Sequence, residues 1–287
     1  MKIGITGSTG FIGGRVASLA KERGWEVTSF SRKPKNGARL LSADQTPDLT
    51  GLDAVVHLAG ASVFGPWTKE RKRAILDSRV DTTRRLVEAM KTTPPKVFVC
   101  ASAIGFYGNT LDQTVDENSP AGEGFLADVC KAWELEAMRA EALGVRVVRV
   151  RIGFVLGRDG GAMKLITPVF RLGLGGRLGD GRQGMSGIHV DDVAGMFVWA
   201  VENPDVEDAV NAVMPEPFSN ADFTREVAAA VHRPAILPAP AFALRLGLGE
   251  LSHLLLDSSR VIPRRALSLG YEYKFPCLQS ALRDVVG

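Results

Sequence analysis

The sequence predicts an α/β fold built on a parallel sheet, and three observations carry that prediction. Short apolar runs alternate with amphipathic stretches of helical length through residues 2–151. A glycine-spaced turn, GSTGFIG (6–13 with its leading Thr6), follows the first apolar run directly. The alternation then breaks, after residue 152, into the irregular glycine-rich stretch GGAMKLITPVFRLGLGGRLGDGRQG (160–184). Apolar strands separated by helices are the mark of βαβ units with right-handed crossovers, and such units pair into a parallel sheet.

The elements follow in order. KIGIT (2–6) is a short apolar strand, and FIGGRVASLAKERG (11–24) is a helix closed by Gly24. WEVTSF (25–30) is the second strand and DAVVHLAG (53–60) the third strong one. A long helix over about 68–91 ends before the Pro94-Pro95 break, and KVFVCAS (96–102) is the next strand. FLADVCKAWE (125–134) opens a helix that runs to about Gly144, and VRVVRVR (145–151) follows as a strand. HVDDVAGMFVWAVEN (189–203) returns to helix, with Asp191 and Asp192 suited to its first turn. AVNAVM (209–214) reads as a late strand of the same sheet. From Pro215 a smaller lobe begins, with several helices and the break PAILPAPA (234–241). The predicted division is a nucleotide-binding domain over 1–153, to which 189–214 returns, and a C-terminal substrate or lid lobe over 154–287.

Composition narrows the function classes. A net charge of +3, with the 35 Lys and Arg spread along the chain, gives no reason to expect a nucleic-acid partner. Three cysteines without Cys-x-x-Cys spacing fit buried thiols in a reducing compartment, and four histidines without ligand spacing give no metal site. No apolar run approaches the ~20 residues that cross a bilayer, and the chain enters a strand at once. No membrane partner and a cytoplasmic location are therefore expected. A homodimer is left open.

Residues 3–13, IGITGSTGFIG, give a strand, then Gly7, Gly10 and Gly13 at three-residue spacing, then a helix. Gly7 permits the tight turn, Gly10 lets backbone approach a pyrophosphate, and Gly13 lets the helix pack close to the strand. The helix N-terminus then faces the phosphates with free N–H groups and its positive dipole end. The end of the second strand decides which dinucleotide is held, because the adenosine ribose lies there. NAD binders place an acid at that point, whereas this chain has Ser31-Arg32-Lys33. A guanidinium at that point favours NADP(H).

With these motifs in hand, GSTGFIG, HLAGA (57–61), ASAIGFYG (101–108) and VRIGFVLGRDGGAM (150–163) resemble the extended or atypical short-chain dehydrogenase/reductase superfamily. ILDSRVDTTRRLVEAM (75–90), SGIHVDDVAG (186–195) and GELSHLLLDSSRVIPRRALSLGYEY (249–273) are similar to its epimerase-like branch, labelled nucleoside-diphosphate-sugar epimerase or cell-division-inhibitor-like. That last stretch looks like the small C-terminal domain of unassigned function that accompanies the branch. The resemblance implies a Rossmann-type, doubly wound parallel sheet holding NADP(H), with a smaller C-terminal α/β lobe closing over the nicotinamide. It implies phosphate-loop roles for Gly7, Thr9, Gly10, Phe11, Ile12 and Gly13. It also implies roles beside the adenosine and pyrophosphate for Ala59, Gly60 and Ala61. By resemblance alone, Trp67 and Arg79 are candidates for cleft contacts, Arg79 among the cofactor-binding set.

The same resemblance makes Lys131 the lysine that binds the nicotinamide ribose and lowers the pKa of a catalytic phenol. Ala127 stands where that phenol belongs, and Ala103 stands four residues before Tyr107, where a hydroxyl is usual. Ser102 could replace that hydroxyl only if the backbone register shifts. A carbonyl reduction needs a proton donor beside the oxygen. Tyr107, at the carboxyl edge of the sheet, is the leading candidate for it, with His189 and Ser102 behind. His57 reads as structural. Two functions are carried forward. The first is an NADP(H)-dependent oxidoreductase or epimerase-like enzyme, acting on a small-molecule substrate without the usual tyrosine acid. The other is a non-catalytic dinucleotide-binding or redox-responsive regulatory protein, with a nucleotide-sugar binder as a weaker third.

Overall fold

The computed structural model describes residues 1–34, 37–42 and 45–287. Its centre is a sheet of seven parallel strands: β1 (Lys2–Thr6), β2 (Glu26–Ser31), β3 (Arg39–Leu40), β4 (Ala54–His57), β5 (Val97–Ala103), β6 (Arg146–Ile152) and β7 (Asp208–Ala212). The spatial order is β3-β2-β1-β4-β5-β6-β7. The order reverses between β1 and β4, and a crevice opens at such a reversal, beyond the carboxyl ends of the strands. This is the doubly wound Rossmann-like architecture expected from the alternation of strands and helices.

The central strands are apolar on both sides because helices cover both faces of the sheet. Ile3, Ile5, Val55, Val56, Phe98, Val99 and Val148 all lie in one core cluster. The α-helices up to residue 230 are α1 (Phe11–Glu22), α2 (Lys69–Met90), α3 (Phe125–Met138), α4 (Met163–Arg171), α5 (Val190–Glu202) and α6 (Asn220–Ala230). One sheet face is covered by α1 packing on α5, and α2 packs against α3. Thr68 caps α2 by accepting the Arg71 amide, and the capping box Ser219/Asp222 opens α6.

Several bounds differ from the sequence reading, among them the third strong strand, which is Ala54–His57 rather than 53–60. The second strand starts one residue later and includes Ser31, because Glu26–Ser31 pairs in register with β1 and, at its end, with β3. The two-residue β3 carries too little pattern to be read from sequence. The late strand lies at 208–212 rather than 209–214, paired along β6 from Asp208↔Val148 to Ala212↔Ile152.

The remaining chain builds a second core. Met163 and Phe170 of α4, Phe223 and Val227 of α6, and Leu278, Leu282 and Val285 of the helix Leu278–Val286 are buried together. Three two-stranded pairs complete this lobe: Phe154–Leu156 with Gly187–His189, Gly184–Met185 with Phe218–Ser219, and Thr114–Val115 with Arg260–Val261. The tail is strapped to the nucleotide half through α5. The Asp192 carboxylate accepts the amides of Lys274 and Phe275, at 2.7 and 2.9 Å. Among the described residues, no helix is long and apolar enough to cross a membrane.

Candidate active site at the carboxyl edge of the sheet

The turn after β1 has the shape that its glycines suggest. Gly7 has φ +71°, and a Cβ there would sit 2.9 Å from the Leu58 carbonyl carbon. A Cβ on Gly13 would sit 2.1 Å from the Gly7 oxygen, so α1 lies too close to the turn for any side chain. Gly10 is different. Its Cβ would meet only the Gly7 oxygen, at 3.2 Å, and otherwise face open space. The first two glycines are demanded by protein packing, and the third keeps a surface clear where a pyrophosphate would rest. The first intrahelical bond of α1 runs from the Gly14 amide to the Gly10 carbonyl. The amides of Phe11, Ile12 and Gly13 precede it and remain for an anion.

The Phe11 side chain has another task. Cβ atoms on Gly157 and Gly160 would each lie 2.3 Å from its ring, so the ring packs into the 157–161 turn. Phe11 can therefore offer a ligand its backbone, whereas its ring serves packing. Ser31 ends β2, its hydroxyl engaged with the Lys33 backbone at 3.2 Å. Arg32 follows, exposed and without an ion pair among the described residues.

Beneath this cradle, Thr6 fixes the ends of β1 and β4. Its hydroxyl oxygen accepts the amides of Leu58 and Ala59 at 3.1 and 3.2 Å. Its own hydrogen is therefore left for His57 Nδ1, 2.6 Å away. Burial, with a smaller contribution from the Arg79 charge, pushes the His57 pKa down to about 3. His57 is thus a neutral structural residue, with Nε2 buried and unbonded.

The loop after β4 passes Ala59, Gly60 and Ala61 along the cleft. The Ala61 amide is held by the Ser78 hydroxyl at 2.9 Å, and the Ala61 carbonyl accepts from Arg79 at 3.0 Å. The Trp67 indole donates to the Val63 carbonyl at 2.9 Å and meets the Phe125 ring edge-on, with centroids 5.1 Å apart.

The expected proton donors are placed otherwise than the sequence suggested. Tyr107 is 4% exposed. Its hydroxyl donates to Asn211 Oδ1 at 2.8 Å and accepts from Arg151 Nη1 at 2.9 Å. Burial, outweighing the Arg151 charge, pushes its pKa up to about 12. A phenol whose proton is already donated inside the core, with a raised pKa, is poorly matched to acid catalysis near neutral pH.

Ser102 is also committed, donating to Glu134 Oε1 at 2.6 Å. The register from Val97↔Arg146 to Ala103↔Ile152 is unbroken, so the shift that would expose Ser102 does not occur. Glu134 in turn makes a bidentate pair with Arg151, at 2.8 and 2.9 Å. Ser102, Glu134, Arg151, Tyr107 and Asn211 thus form one buried chain of polar groups. His189 accepts the Asp191 amide at 3.1 Å, and its Nε2 lies 3.2 Å from Asp284. It ties α5 to the C-terminal helix.

Lys131 stands apart from this chain. Its side chain is 43% exposed, and its ammonium pairs with Asp128 at 2.7 Å. Ala127, one turn before it, is 1% exposed, so a tyrosine at that position would set its ring in the interior. Glu134 and Arg151 are marked by no motif in the sequence, yet they join Ser102 and Tyr107 in the core. The available signal was the set of arginines Arg146, Arg149 and Arg151 within one strand of a parallel sheet, where any that is buried needs a counter-ion.

Comparison with known proteins agrees with this geometry. Residues 3–213 match the NAD dependent epimerase/dehydratase family, and residues 239–285 match a domain of unknown function, DUF1731. The chain is 39% identical over 293 residues to the mouse epimerase family protein SDR39U1, covering 100% of both. The crystal structure of the human epimerase family protein SDR39U1 (isoform 2), solved with NADPH, is 36% identical. It superposes with a TM-score of 0.93, covering 100% of this chain and 99% of that one. A nucleoside-diphosphate sugar epimerase from Corynebacterium glutamicum is 32% identical, with a TM-score of 0.83 over 100% of this chain and 58% of that one. The chain belongs to the NAD dependent epimerase/dehydratase family, in the epimerase-like branch that carries a C-terminal DUF1731 domain.

Proposed function

We propose that the protein binds NADP(H) and works as an oxidoreductase or epimerase-like enzyme whose chemistry does not use a tyrosine acid. The observation that carries the reading is the pairing of the Gly10 cradle with Arg32. The cradle leaves room for a pyrophosphate at the N-terminus of α1, and an uncommitted guanidinium stands where NAD binders keep an acid. When bound, NADPH supplies the hydride. The chain's own residues then orient and enclose. Gly7, Thr9, Gly10, Ile12 and Gly13 hold the phosphates through backbone, and Ser31 and Arg32 read the adenosine ribose. Lys131 reaches the nicotinamide ribose by exchanging Asp128 for a ribose hydroxyl.

A second reading, a redox-responsive protein without turnover, is supported by Tyr107 and Ser102, whose hydroxyls are both spent inside the core. Depletion of NADPH with a panel of carbonyl compounds separates the two, since only the enzyme consumes cofactor.

The cofactor assignment is tested by titrating NADPH and NADH into wild type and Arg32→Ala. A charge-assisted contact to the 2′-phosphate is worth ~1.5–3 kcal/mol, or about 10- to 100-fold in affinity. Arg32→Ala should lose that much for NADPH and keep its NADH affinity. Equal loss for both cofactors would remove Arg32 from the 2′-phosphate site.

A further inference from the structure

The helix α4 is apolar on two opposite sides. Met163 and Phe170 lie in the second core, whereas Leu165, Val169 and Leu172 are exposed by 69, 43 and 74%. Spacings of four and three residues put those three on one face, since the C-cap Leu172 keeps helical backbone. Leu174, Ile236 and Leu237, each half exposed or more, adjoin that face. The Leu237 amide bonds the Gly175 carbonyl at 3.4 Å, and Arg233 Nε donates to the Arg171 carbonyl at 3.3 Å. Segment 233–238 therefore runs beside the end of α4. Six of the fifteen large apolar side chains that the described residues expose belong to these two adjoining segments. A helix that is apolar all round calls for cover all round.

The charge of the same segments says what covers them. Residues 163–177 and 233–238 hold Lys164, Arg171, Arg177 and Arg233 and no acid. The whole chain carries +3, so everything outside these two segments sums to −1. Cations that look dispersed along the sequence are gathered here by the fold. Arg171 and Arg233 donate to the carbonyls of Val286 and Arg171, and among the described residues none of the four cations meets a carboxylate. Arg225, which lines the same groove as Arg177, shows the contrast, paired with Asp222 at 2.8 Å.

We propose that this face docks on the surface of a bilayer that carries anionic headgroups. The leucine, valine and isoleucine side chains enter the acyl boundary, while the Lys and Arg stems lie along the strip with their charges at headgroup level. An acidic protein segment would satisfy the cations but would also have to match the outline of the apolar side chains. A bilayer supplies negative charge and an apolar medium together, whatever the outline. No spanning segment is needed, and none exists among the described residues. The inference does not rest on the cofactor reading.

The test is co-sedimentation of the full chain with two kinds of vesicle, at low and at raised salt. One is phosphatidylcholine alone, and the other is phosphatidylcholine and phosphatidylglycerol in equal parts. The protein should pellet with the anionic vesicles, be released by salt, and stay in solution beside the neutral ones. Leu172→Glu and Leu237→Glu should each weaken binding by about tenfold or more. Lys164→Gln and Arg177→Gln should each weaken it by about fivefold. Leu135→Glu, at a leucine on α3 that is 67% exposed, should bind as wild type does. A thermal melt checks that each variant is folded. Absence of binding to the anionic vesicles, or equal binding to the neutral ones, overturns the proposal. So does equal weakening by Leu135→Glu, which would leave net charge as the whole cause. Sedimentation velocity without lipid tests a second copy as the cover. A dimer that Leu172→Glu dissociates would assign the face to self-association and overturn the bilayer.

Discussion

At the end of β1, Gly7, Gly10 and Gly13 shape a cradle from backbone. Two strands away, at the end of β5, Ser102, Tyr107, Glu134 and Arg151 make a closed chain of side chains. The cradle presents unbonded amides outward, whereas the side chains at β5 satisfy one another and present nothing. A site that resembles an active centre by motif can therefore divide. One end keeps its binding geometry, and at the other the groups expected to do chemistry have become structure.

The sharpest way to break this comparison is to remove Glu134. Glu134→Ala leaves Arg151 charged and buried, and breaking such a pair costs about 3–5 kcal/mol. Urea unfolding should report a loss of that size. A loss below about 1 kcal/mol would mean that the β5 end is not held by this pair. The cradle should respond in the opposite sense. A Cβ at Gly10 would meet only one protein atom within 4 Å, so Gly10→Val should change stability by less than about 1 kcal/mol. NADPH binding should disappear, because the side chain fills the pyrophosphate's place. Near-normal NADPH titration by folded Gly10→Val would move the cofactor elsewhere.

A smaller effect comes from His57, beneath the cradle. Its folded pKa of about 3 lies below the ordinary 6.5, so the unfolded chain takes up a proton that the folded protein refuses. Stability from this group is complete above pH 6.5 and is lost as the pH falls toward 3. Between pH 6.5 and 5 the loss is about 1.6 kcal/mol, the proton uptake rising from half a proton toward one as the unfolded imidazole titrates. Denaturant unfolding across that range should show the slope in wild type, and His57→Leu should flatten it. An identical slope in the variant would assign the acid sensitivity to other groups.

The same division explains how much could be read from sequence. Glycine spacing specifies backbone shape locally, and strand-helix alternation specifies the sheet, so β1, α1 and the central strands were legible. The fate of Tyr107 was not, because its partners Arg151 and Asn211 stand 44 and 104 residues away. Ser102 and Glu134 are separated by 32 residues, and nothing in either stretch alone announces the pair. Motif position told where Tyr107 stands along the sheet edge, but only the packed core told which way its hydroxyl is spent.

The seating of Phe11 in the 157–161 turn has a consequence for the cradle itself. The first turn of α1 has a covering of three glycines, Gly157, Gly160 and Gly161, contributed by chain about 150 residues downstream. Any side chain at Gly157 or Gly160 would displace the Phe11 ring, and with it the amides meant for the pyrophosphate. The tightness of the nucleotide grip is therefore set by two distant segments acting as mould and cast. A side chain in the 157–161 turn would therefore disturb the cradle as directly as one in the phosphate loop, even though the turn packs on the Phe11 ring and not on the nucleotide's place.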